Sequence, residues 1–149
     1  MAVMFLTACI TPYHPKNFTG TGFEEVNIDG DTYVVYFQAN GLTRPDTVSK
    51  YLLYRCAEFT LIEKGFDYFQ IIESQDMSRV VSSGCCCLGG STTYPGFSKT
   101  IKIFKGQKTS EQTNVYEAKT VIKNLESFMR KKRSHFGSPV MDILENIMR

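Results

Sequence analysis

"TRPDTVSKYLLYRCAEFTLIEKGFDYFQIIES", residues 43–74, reads as a helix that runs almost directly into a strand. Val48, Leu52, Cys56 and Phe59 repeat at helical spacing, and Leu53, Ala57 and Leu61 widen the stripe into a core-facing side. Thr43 with Asp46 three residues on predicts a capping pair, and Pro45 is tolerated in the first turn, where its N–H has no helical partner to lose. The helix is expected to run to about Lys64 and to stop at Gly65. "YFQIIES", Tyr68–Ser74, is then a strand.

Upstream, "FEEVNID" and "TYVVYFQA" are strand-like runs joined across Asp29-Gly30, a strong hairpin signal. Tyr33, Val35, Phe37 and Ala39 share one face of the second run, and Val34, Tyr36 and Gln38 share the other. Both faces are largely apolar, which places this strand inside a sheet. A strand, a helix and an adjacent strand then predict a crossover packed on one sheet face.

Downstream, residues 75–98 form a Ser/Gly/Cys/Thr-rich excursion before "KTIKIFKG", another strand. A polar break over 106–113 precedes a second helix, with Asn114 and Glu117 as its capping pair and Val115, Ala118, Ile122, Leu125 and Met129 as its stripe. Ser138-Pro139 opens a short third amphipathic helix carrying Val140, Ile143, Leu144 and Ile147. No internal repeat is present. The expected fold is α+β: a mostly antiparallel sheet of about four strands, two main helices packed on it, and a short C-terminal helix. Residues 23–133 make up the domain and 134–149 its amphipathic extension.

Composition agrees with one folded domain. The 149 residues are 42% hydrophobic and 13% aromatic, which argues against a disordered chain. A formal charge of +2 does not point to nucleic acid. No apolar run approaches the roughly 20 residues that span a bilayer, so any membrane attachment is an anchor.

Such an anchor is written at the N-terminus. Leu6-Thr7-Ala8-Cys9 has the form of a lipoprotein box, with small residues before a cysteine whose thiol is acylated and whose amine is freed by cleavage. Residues 1–8 are then the stump of a signal, lacking the usual basic start, and 9–22 a flexible tether. Several acyl chains on Cys9 exceed the one-chain level that binds membranes only reversibly. Ile10 rather than Asp after the cysteine leans towards the outer membrane.

The block from Gly22 to Ser74 resembles a family of small proteobacterial envelope lipoproteins. The matching residues are Gly22, Phe23 and Glu25, then Val35, Phe37, Asn40 and Gly41, then Tyr51–Glu58, Gly65, Phe66 and Phe69. "VYEAKTVIKNL", residues 115–125, is a weaker echo. The chain departs from that pattern at Cys56, where the family often has Ala, in its triple cysteine, and in its basic C-terminal extension. The resemblance implies acylation of Cys9 and a place in the cell envelope; it implies no reaction.

Chemistry-bearing residues are few. Cys85, Cys86 and Cys87, with Cys56, can hold a soft metal or pair as disulfides; three consecutive residues cannot easily face one ion, so disulfides or inert thiols are the plainer expectation. Arg55 and Glu58, three apart, can pair across the helix surface, and a structural ion pair beneath the loops is expected rather than a catalytic one. Arg130, Lys131, Lys132 and Arg133 close the second helix, where cations complement its dipole and can meet an anionic surface. The tyrosines of the central block are expected to be packing. Gly-x-Ser-x-Gly, His-Glu-x-x-His and P-loop motifs are all missing. The expectation is a non-enzymatic, lipid-anchored envelope protein without a cofactor, an interaction or assembly module whose partners are the membrane, through Cys9, and an envelope protein. The alternative is a periplasmic metal- or redox-handling protein using Cys85–Cys87.

Overall fold

The computed structural model describes residues 10–82, 84, 89–106 and 113–133. It is α+β, with a mostly antiparallel sheet and helices against it. The elements, in chain order, are β1 (Gly22–Asp29), β2 (Thr32–Gln38), α1 (Pro45–Glu58) with a π-helical turn (Phe59–Glu63), β3 (Tyr68–Asp76), β4 (Arg79–Ser82), β5 (Ser91–Tyr94), β6 (Gly96–Phe104), β7 (Val115–Glu117) and α2 (Ala118–Arg133). The main sheet has five strands in the order β1-β2-β6-β3-β7, every neighbouring pair antiparallel, and β4 and β5 form a separate two-stranded ribbon.

The hairpin forms as the sequence indicates, with Gly30 at φ +49 in the turn and β2 inside the sheet. Tyr33, Val35 and Phe37 share the face that packs under α1, and from β6 and β3 that face gains Ile101, Ile103 and Phe69. The opposite face carries the rows Val26–Val34–Thr100 and Glu24–Tyr36–Ser98. Burial along α1 is nearly complete around the helix: Val48, Tyr51, Leu52, Tyr54, Cys56 and Ala57 are all interior.

Four expectations are corrected. The sheet has five strands rather than about four, because Val115–Glu117 pairs with Tyr68–Gln70 instead of opening the second helix. The exposed edge of β3 offers unpaired backbone groups, and meeting them outweighs one more helical turn. Asn114, expected as a cap, takes φ +58 and its carbonyl accepts from the Ile71 N–H (3.0 Å). Second, β3 is not beside β2: β6 lies between them, so the crossover through α1 spans one intervening strand.

Third, Thr43 caps nothing. The N-cap is Arg44, without a side-chain cap bond, and the Thr43 hydroxyl donates to Asn40 Oδ1 (2.9 Å) and accepts from the Thr11 N–H (2.9 Å). Fourth, residues 10–22 are not a free tether. Thr11 is buried and its Oγ1 accepts from the Asn40 N–H (2.8 Å). The Phe23 N–H donates to the His14 carbonyl (2.9 Å) and the Lys16 N–H to the Phe23 carbonyl (2.8 Å). Gly22, at φ +110, allows this: a Cβ there would lie 2.5 Å from the His14 carbonyl oxygen. The segment is an arm sewn to the edge of β1 and to the loop before α1.

The two helices are antiparallel. The first N–H of α2 donates to the Asp67 carbonyl (2.9 Å), just past the end of the π turn, while Phe128 near its other end packs on Tyr51 (6.0 Å between centroids). The C-terminus of α2 therefore lies beside the N-terminus of α1. The π turn has a local cause: buried Thr60 donates its hydroxyl to the Cys56 carbonyl (2.7 Å), and the backbone widens around it before Gly65, at φ +67, ends the run. The expected third helix lies outside the described residues.

Candidate functional site

The densest polar constellation sits under α1. Arg55 is 6% exposed and Glu58 4%, and the two form the expected structural ion pair in the interior. The guanidinium uses all its edges: Nε donates to Glu25 of β1, Nη1 to Glu58 (2.9 Å) and Nη2 to Glu63 of the π turn. Its Cζ lies 4.1 Å from the centroid of the Phe23 ring. The Tyr13 hydroxyl of the N-terminal arm donates to Glu58. One cation thus joins a strand, a helix and a π turn, and the arm joins the cluster through Glu58.

Electrostatics follow from this packing. Burial works against the charge on Arg55, but the hydrogen bonds with Glu25 and Glu58 and the facing negative charge more than offset it, and its pKa is raised. Burial, then the charge of Glu58, pushes the Tyr13 phenol well above its ordinary value, so it stays a donor. Every group in the cluster is bonded to another member of it.

Tyr13 also fills an aromatic slot, with Phe23 (4.9 Å), Tyr51 (5.6 Å) and Tyr54 (5.6 Å) around it. The arm is held by its ring as well as its hydroxyl. Tyr13→Phe is expected to lower stability by about 2 kcal/mol, the value of a bond to a charged acceptor. It should also speed limited proteolysis at residues 12–18, while cleavage in the sheet stays unchanged.

Cys56 is fully buried in the core with a free thiol, its pKa pushed up to about 12, first by burial. A thiol so placed is a poor metal ligand and is not a disulfide half-cystine here. Cys9, Cys85, Cys86 and Cys87 lie outside the described residues. Among the described residues no group of three or more His, Cys, Asp or Glu is placed to hold a metal, and no helix is long and apolar enough to cross a membrane. Arg130 and Lys131 are exposed and Lys132 half-buried on the last turns of α2, where Arg130 bonds Glu126 (2.5 Å); the side chain of Arg133 lies outside the described set.

A second feature escaped sequence reasoning. The sheet face turned away from α1 bears an open groove lined by Tyr36, Gln38, Val26 and Met77, with Lys16 and Arg79 also on its walls. Val26, Ile28 and Ile72 are exposed large apolar side chains. Period-2 alternation did show that both faces of β2 were apolar; only the pairing shows which one a helix covers.

Fold and site together define an α+β domain, helices on one face of an antiparallel sheet, with an N-terminal arm locked by a buried ion cluster. No known family model, curated protein or solved structure matches the chain.

Proposed function

We propose that this protein is a lipid-anchored component of the bacterial envelope that acts by binding another protein rather than by catalysis. The observation that carries the reading is the Leu6-Thr7-Ala8-Cys9 box standing directly before a folded arm. The resemblance of the Gly22–Ser74 block to envelope lipoproteins supports it. So does the self-contained ion cluster, in which each charge meets a partner within the fold. The groove on the open sheet face, where Val26, Tyr36 and Met77 stand beside Lys16, Glu24 and Arg79, supplies a surface for a protein partner. The location that goes with this is the outer membrane, with the domain in the periplasm.

The test is growth of expressing cells with radioactive palmitate, for the wild type and Cys9→Ser. The wild type should take up label and sediment with membranes, and Cys9→Ser should lose both. Equal labelling and fractionation of the two proteins overturns the anchor.

A further inference from the structure

We infer that the end of the domain carrying Ile10, Leu42, Arg44 and the last turns of α2 rests directly on the anionic bilayer surface. The inference rests on the reading of Cys9 as the acylated residue and goes further, by fixing which face meets the lipid. It begins with chain length. Thr11 is buried and bonded to Asn40 and Thr43, and only Ile10 stands between it and Cys9. Two residues span at most about 7 Å. An acylated cysteine therefore cannot hold the domain away from the membrane, and the surface around Thr11 is drawn against the headgroups.

That surface has the side chains such a position requires. Ile10 is 42% exposed, and Leu42, within the loop that binds Thr11, is 61% exposed. Arg44 projects beside it, with 84% of its side chain in solvent. Arg44 meets Asp46 at 3.2 Å, so this loop alone is close to neutral and its contact is apolar. The positive charge comes from α2, chiefly from Lys131 and Lys132, since Glu126 pairs with Arg130. Because the helices are antiparallel, with Phe128 against Tyr51 and the Lys50 Nζ 4.8 Å from the Phe128 ring centroid, the run after Phe128 continues towards the N-terminal end of α1. Arg130, Lys131 and Lys132 thus stand at the same end as Leu42 and Arg44. Each cation held close to an anionic surface strengthens binding about fivefold. Anchor, apolar loop and basic helix end point one way.

The chain contains no tryptophan, which provides the probe. Leu42→Trp places one indole on the proposed face. Ile28→Trp places another at the hairpin end of β1, the far end of that strand from Gly22 and its neighbour Gln38, at a site 57% exposed. Each full-length, cell-acylated protein is reconstituted into vesicles of phosphatidylethanolamine and phosphatidylglycerol that contain brominated lipid. The indole at position 42 should shift to the blue and lose about half its emission, as expected of a group at the headgroup–acyl boundary, while that at position 28 stays unquenched. Repeating the Leu42→Trp measurement with Lys131→Glu and Lys132→Glu added should weaken the quenching. Palmitate labelling of the same preparations separates the two ideas. Labelled protein whose indole at 42 is unquenched, or no more quenched than that at 28, overturns the face but leaves the anchor. Unlabelled protein removes the anchor, and the face with it.

Discussion

Arg55→Met should destabilise the domain by about 3–5 kcal/mol, the range for breaking a buried ion pair by removing one partner. The methionine keeps most of the packing on Phe23 but removes the one positive charge that joins Glu25, Glu58 and Glu63. Glu58, with 6% of its side chain exposed, and Glu25, with 18%, are then left as carboxylates in the interior without a cation. Loss of stability on this scale consumes a large share of a small domain's total. The measurement is urea unfolding, read as a lowered midpoint at constant slope. Arg55→Lys retains the charge, but one ammonium cannot serve three carboxylates arranged around a planar fork, so its loss should be intermediate. Glu63→Gln, at a side chain 44% exposed, should cost under about 1 kcal/mol, since solvent screens that bond. A midpoint for Arg55→Met equal to the wild type would show that the cluster does not hold the arm and strand to the helix.

This cluster also marks where sequence reading stops. The Arg55–Glu58 spacing was legible as a pair, yet its burial depends on Glu25, thirty residues earlier, and on Tyr13, forty-five residues before Glu58. One signal was present: Glu25 alternates with Phe23, so an acid falls on the same face of β1 as a core aromatic. The β1–β2 hairpin and α1 were legible because local patterns decide them, through the Asp-Gly turn and a continuous apolar stripe. Val115–Glu117 was not, since three residues become a strand only by meeting the edge of β3. The arm was misread for a similar reason. Its Pro, Gly, Asn and Thr residues read as loop, and the contacts of Thr11 and Tyr13 that fix it are all distant in sequence. The α+β class followed from elements of strong local character, whereas strand order and the polar cluster followed from partners far along the chain.

High pH should unfold this protein earlier than its core would suggest, and Cys56 is the reason. Its thiol ordinarily titrates near 9, and in the folded state its pKa is pushed up to about 12, first by burial, with Lys99 and Arg55 opposing and Glu25 reinforcing. Below pH 9 the thiol is protonated in both states and stability is unaffected by it. Between 9 and about 12 the unfolded chain loses the proton while the folded one keeps it, so stability falls by about 1.4 kcal/mol per pH unit, or about 4 kcal/mol across the window. Tyr13, also raised by burial and by Glu58, acts in the same direction above the ordinary phenol range of about 10, because its proton is the one donated to Glu58. Urea midpoints taken from pH 8 to 11 should therefore slope downward. Cys56→Ala, which has no group to ionise there, should flatten much of that slope while lowering stability at pH 8 by the smaller amount set by lost packing. If Cys56→Ala keeps the full alkaline slope, the buried thiol is not its source. Adding Tyr13→Phe should flatten a further part of the slope above pH 10, which separates the core thiol from the phenol that locks the arm.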